Sequence, residues 1–317
     1  MKVAKWVASL KPFNFNTNIY LSPNLSIRSL FLKKIAVLIN YLHQSLLNSR
    51  NFRKSLAGIK SAKGSKTGRV ALVVANGPSA RDLNWEWIRE FKNVKSLDLF
   101  LLNYSLLDAN SSSFLDLVDY LVLSDPGMHP QSDTVKNFRL WEKIRSLPSL
   151  TLVSPTHWHK SFTDNTCDGN RCLHFNDLSL EGISKNISPL RGRGYSSLTA
   201  YKALSCAIHF GYKRVLVIGI DNSGFKDILV DSKLNLIQSP GHGIGDYGDS
   251  WNCTSHFPRG IGDFLYDYSE LFLSLRRCFS GYDITNLGLK SEVDAFPKIH
   301  PDDDLFGLIG LSNKNWS

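Results

Sequence analysis

Apolar and polar positions alternate between two regimes along the chain. Val70 to Val74 is an unbroken apolar run with β-branched members, which predicts a strand buried on both faces over 70–75. Similar runs predict strands over 96–103, 118–123, 150–154, 214–220 and 282–287. Helical periodicity separates them, from Trp85 to Phe91, over 136–147, within 191–211 and from Phe264 to Phe279. This rhythm predicts an α/β fold with a mostly parallel, doubly wound sheet. Residues 161–189 show no long periodic segment and read as a peripheral lobe. Residues 222–262 are polar and glycine-rich, too long for an ordinary connection, and read as a lid over the sheet edge.

The turns at the strand ends carry the candidate chemistry. The first strand runs into Asn76, Gly77, Pro78 and Ser79. Gly77 permits a tight turn, Pro78 fits the first turn of a helix, and Asn76 or Ser79 can cap it. Such a turn either binds an anion on free N–H groups or is simply a capped connection, and its residues leave both readings open. NGPS is neither a dinucleotide fingerprint nor a Walker loop. Asn103 closes the second strand, and Asp125 closes the third, where it can meet ribose hydroxyls or stabilise the turn before Pro126. Arg193, Ser196, Ser197 and Thr199 stand at the opening of a helix, where donors can meet a phosphate. Asp221 follows the strand that ends in Gly219 and Ile220. His157 and His159 follow a strand without a flanking carboxylate, so they read as surface or packing residues rather than metal ligands.

Charge divides the chain. Residues 1–70 hold nine Lys, four Arg and no acid, so of the net +9 this leader carries +13 and the remainder −4. Within it Leu32, Ile35, Leu38, Ile39 and Leu42 recur at helical spacing, interrupted by Lys33 and Lys34. That pattern is too short for a membrane span, and it fits an amphipathic helix on an anionic membrane surface or one packed on the main fold. Nucleic acid is not expected as a partner. The N-terminus lacks a clean secretory signal, so the expected location is cytoplasmic, with peripheral association at the inner membrane face. Five cysteines, an odd number without tight ligand spacing, fit reduced thiols; Cys167 and Cys172 alone make a weak zinc proposal. Residues 1–69 are therefore read as leader and flexible linker, 70–298 as the main domain and 299–317 as a polar tail.

The order of NGPS, a strand ending at Asn103, SDPG, a helix entering FGYK, and VLVIGID resembles the bacterial sialyltransferases of the Campylobacter type and the related motility-accessory glycosyltransferases. The resemblance covers about residues 70–298. It implies a modified Rossmann-like, glycosyltransferase A-like domain with a small lid, a nucleotide-sugar donor and no metal or other cofactor. By that resemblance Asn76, Gly77, Ser79 and Asn103 contact the nucleotide, and Thr199 stands for a family serine. Asp125 replaces a family asparagine. Ser196 takes the place of a family arginine, for which Arg193 is a displaced substitute. The general base falls on His256, with His242 the competitor, and Tyr247 is the available lid tyrosine. The expected function is inverting transfer from a nucleotide-activated sugar, such as a CMP-activated sialic-acid-like sugar, to a cell-envelope glycan. A self-associating protein is a family expectation. The alternatives are a pyrophosphokinase-like enzyme and a noncatalytic nucleotide- or glycan-binding protein.

Overall fold

The computed structural model describes residues 27–47, 53–94, 97–107, 114–163, 171–238, 251–252 and 260–299. Seven parallel strands form the central sheet: β1 (Val70–Val74), β2 (Leu97–Leu102), β3 (Val118–Val122), β4 (Thr151–Pro155), β5 (Arg171–Phe175), β6 (Arg214–Ile218) and β10 (Ile284–Asn286). Their order is β10-β6-β1-β2-β3-β4-β5, so the chain winds outward from β1 in one direction and then restarts on its other side at β6. The expected α/β architecture with a mostly parallel sheet is present, flanked by helices in the manner of a Rossmann-like fold.

Strand periodicity sorts the core into two layers. Ala71, Val73, Phe100, Leu102, Val153, Val215 and Val217 point to the face covered by α6 (Thr199–Phe210) and α7 (Ile261–Phe279). Their neighbours Leu72, Val74, Leu99, Leu101, Leu152 and Leu216 point to the opposite face, under α3 (Trp85–Val94), α4 (Val135–Arg145) and α5 (His159–Thr163). Both faces of β1 are thus buried, which is why its run is continuously apolar.

Two segments differ from the sequence reading. Residues 57–69, expected to be a flexible connector, fold as α2 (Ala57–Ser61) and a turn packed on the domain. Ile59 is fully buried, worth about 2 kcal/mol of apolar burial, and its carbonyl accepts a hydrogen bond from His209 Nε2 at 3.0 Å. Gly211, at φ +88°, closes α6 in the left-handed conformation, and a side chain there would strike Gly64. Lys66 and Arg69 then reach Asp98 on β2, at 2.9 and 3.1 Å. Residues 171–175, assigned to a peripheral lobe, instead form β5 at the edge of the main sheet, registered along β4 from Thr151↔Arg171 to Pro155↔Phe175.

Within the expected lid, β7 (Ile228–Val230), β8 (Leu236–Gln238) and β9 (Trp251–Asn252) form a small antiparallel sheet. Leu236 and Phe264 bury one another at its contact with α7, and Phe225, Ile228 and Tyr268 pack around them. Residues 239–250 and 253–259 of the expected lid, including His242, Tyr247 and His256, lie outside the described residues.

Candidate functional site at the carboxyl edge of the sheet

In a doubly wound sheet the ligand crevice belongs where the winding reverses, at the carboxyl ends of β1 and β6. Here that crevice is filled by the chain itself. The Ser79 backbone N–H donates to Asp221 Oδ2 at 2.7 Å, and the Ser79 hydroxyl donates to Asp221 Oδ1 at 2.5 Å. The same hydroxyl oxygen accepts the Gly219 N–H at 2.9 Å, while the Gly77 N–H donates to the Gly219 carbonyl at 2.8 Å. A side chain on Gly77 would lie 2.4 Å from that carbonyl oxygen and 2.5 Å from Asp221 Oδ2, so only glycine allows this closure. The donors at the turn after β1 are therefore taken up by the Asp221 carboxyl group. Ser79 and Asp221, both buried, join the β1 and β6 ends rather than presenting free groups.

The open chemistry lies one strand over. Asn103 ends β2 in the left-handed region at φ 51°, a conformation asparagine tolerates better than most residues. Its Nδ2 donates to Thr199 Oγ1 at 3.1 Å, and the Thr199 hydroxyl meets Ser124 Oγ at 2.6 Å. One amide, two hydroxyls and three elements are joined in this way: the ends of β2 and β3 and the first residue of α6. The other end of the amide, Asn103 Oδ1, is buried without a hydrogen-bond partner among the described residues. A buried orphan acceptor costs about 1–3 kcal/mol, so this atom is poised for a donor from outside the chain. Next to it, the Asn76 amide oxygen accepts from Ser105 Oγ at 2.5 Å, a proton that Ser105 shares with the Leu102 carbonyl at 2.6 Å.

Asp125 is exposed after β3. Its Oδ1 caps the Pro126–Met128 turn by accepting the Gly127 N–H at 2.8 Å, so the turn-stabilising role is present. A carboxylate accepts about four hydrogen bonds, which leaves capacity for a ligand hydroxyl.

Arg193 and Ser196 do not join this group. Arg193 Nη1 donates to Glu181 Oε2 at 3.2 Å, the Ser196 hydroxyl donates to Glu181 Oε1 at 2.6 Å, and the Ser196 N–H donates to Ser274 Oγ of α7 at 2.7 Å. All three of Arg193, Glu181 and Ser196 are buried, and together they fix the loop that feeds α6. Of Arg193, Ser196 and Thr199, it is Thr199 that bonds to the strand ends.

Sequence reasoning missed Lys202. It lies one turn along α6 from Thr199, 2% exposed, with its ammonium 3.0 Å from Asp177 Oδ1 beyond β5. Burial pulls its pKa below the ordinary lysine value, opposed by attraction from Asp177 and then Asp125. The available signal was a lone lysine in a helix with no other Lys, Arg, Asp or Glu, TAYKALSCAIHF. His157, after β4, feels the same groups: burial lowers its pKa, Asp177 raises it, and Lys202 and His129 lower it. Its side chain is nonetheless exposed, stacked edge-on to Trp158. His129 beside it is committed, because the Gln131 N–H donates to its Nδ1 at 3.2 Å and its Nε2 meets Ser161 Oγ at 3.0 Å. His159 packs edge-on to His174.

Among the described residues, no group of three or more His, Cys, Asp or Glu side chains is arranged to hold a metal ion. Cys172, Cys206 and Cys278 are free thiols, and Cys167 of the weak zinc pair lies outside the described residues. No known protein family matches the chain, and no curated protein matches it.

Proposed function

We propose that this chain is an inverting glycosyltransferase that takes its donor as a nucleotide-activated sugar, with a CMP-activated sialic-acid-like sugar the leading donor and a cell-envelope glycan the acceptor. The observation that carries the reading is the Asn103–Thr199–Ser124 chain, with an orphan amide oxygen after one strand and an exposed aspartate after its parallel neighbour. Those groups suit the donors of a base and the hydroxyls of a ribose. The Rossmann-like core is compatible with nucleotide binding, and the motif order resembles the sialyltransferases and motility-accessory enzymes.

In this reading Asn76 and Asn103 position the nucleoside, and Asp125 takes a ribose hydroxyl. Gly77, Ser79 and Asp221 hold the floor. The acceptor hydroxyl attacks the anomeric carbon as the bond to the phosphate oxygen breaks, and the electron pair of that bond leaves on the phosphate. Thr199 and the positive end of α6 face the developing charge, with Lys202 behind them as a buried cation. The proton lost by the acceptor goes to a neutral imidazole, His256 in the first instance and His242 in the second. His157 is the described histidine exposed at the same edge.

Purified full-length protein incubated with a panel of nucleotide sugars, read by mass spectrometry, tests the proposal. Hydrolysis or transfer from a CMP-sugar is expected, and His256→Ala should lower turnover by roughly 10²-fold with little change in donor affinity. Loss in His242→Ala or His157→Ala instead would move the base to that residue. Magnesium-dependent release of AMP from ATP would favour a pyrophosphokinase, and nucleotide binding without any product would favour a noncatalytic binder.

A further inference from the structure

Helix α1 (Ile27–Leu47) presents two unlike faces. Val37, only 5% exposed, and Tyr41, one turn later, turn toward the body, where the Tyr41 ring lies so close that a side chain on Gly192 would meet it at 2.6 Å. Leu38, Leu42 and Leu46 recur every fourth residue on another side, with Ile39 beside them. These four are 44%, 50%, 75% and 54% exposed in that order. The helix is therefore docked by one face and leaves an apolar strip uncovered by the described chain, with the exposed Lys34 alongside.

We propose that this strip, on α1, is a docking surface for an anionic lipid bilayer. Residues 1–70 hold thirteen basic and no acidic side chains, so every charge near the strip in sequence has the sign that a bilayer of anionic headgroups attracts. Pairing with the strip of a second copy would instead bring two such basic segments together, and nothing acidic within either could offset the repulsion. No described helix is long and apolar enough to cross a membrane, so the strip lies in the interface with its leucines in the acyl boundary. Tyr41, against Gly192 in the loop before α6, sets its orientation.

Cosedimentation of the full chain with vesicles tests this. Wild-type protein should pellet with vesicles containing phosphatidylglycerol, pellet less with phosphatidylcholine alone, and be released by salt. Leu38→Ser/Leu42→Ser/Leu46→Ser, which alters exposed positions only, should lower the partition coefficient by about tenfold or more. Lys33→Glu/Lys34→Glu should lower it on the anionic vesicles alone. Unchanged partition of the leucine variant, or equal wild-type binding to neutral and anionic vesicles, would overturn the proposal. A concentration-dependent dimer in sedimentation velocity that the leucine variant loses, with no vesicle binding by either protein, would give the strip to a second copy.

Discussion

Replacing Asp221 by alanine separates a structural join from a ligand contact. The carboxylate is 4% exposed and accepts two donors of Ser79, the N–H at 2.7 Å and the hydroxyl at 2.5 Å. Each hydrogen bond to a buried charged group contributes roughly 1.5–3 kcal/mol, and losing the acceptor leaves its donor unsatisfied. Because both bonds share one carboxylate, their contributions do not simply add, and a loss of about 3–5 kcal/mol is expected for Asp221→Ala. Against a typical stability of about 5–15 kcal/mol this is a large fraction. Asp221→Asn keeps one acceptor oxygen and should lose about 1–3 kcal/mol. Urea unfolding followed by tryptophan fluorescence, with linear extrapolation at unchanged slope, measures both variants. Nucleotide affinity, read where each variant is still folded, should stay near wild type. An unchanged midpoint in Asp221→Ala together with a lost nucleotide site would refute the join and make Asp221 a ligand group.

Two buried titrating groups give separate pH windows for stability. His174 is 3% exposed, and burial followed by repulsion from His159 lowers its pKa to about 4. Its neutral form is favoured in the fold, so its contribution is complete above the unfolded value near 6.5 and is lost as pH falls toward 4; His174→Gln should remove about 3 kcal/mol of that acid sensitivity. Asp98 is 2% exposed; burial opposes its ionisation, but hydrogen bonds from Arg69, Tyr212 and Lys66 outweigh that and hold its pKa below the ordinary 3.8. Its contribution is present above 3.8 and is lost as pH falls through the lower folded value, and Asp98→Ala should cost about 3–5 kcal/mol at neutral pH by leaving two cations and a tyrosine hydroxyl without their acceptor, as urea unfolding at several pH values would show.

The central strands were legible because burial on both faces demands continuous apolar runs, and VALVV and VLVIG supply them. β5 was not, because RCLHF at the sheet edge mixes a charged and an imidazole side chain into five residues. Its neighbour α2 was hidden in a Lys-, Gly- and Ser-rich stretch, where Ile59 is the one strongly apolar residue of five. In the candidate site, Asn103 and Asp125 were readable because strand ends are where side chains become available. The partnership of Ser79 and Asp221 was not readable: they are 142 residues apart, and only the placement of β6 beside β1 brings them together. Arg193 misled for a local reason, since Glu181 lies just twelve residues before it and takes the guanidinium that a phosphate was expected to hold.

In the proposed function, Asn103 and Thr199 form the nucleotide contact at the carboxyl edge. Asn103→Gly is the informative variant, because glycine keeps the φ of 51° while removing the amide, and Thr199→Val keeps shape while removing the hydroxyl. Titration calorimetry with CMP, run where urea unfolding shows each variant still folded, should show measurable binding by the wild type and a weakening of roughly tenfold or more, about 1.4 kcal/mol, in each variant. Wild-type affinity in both folded variants would contradict the claim.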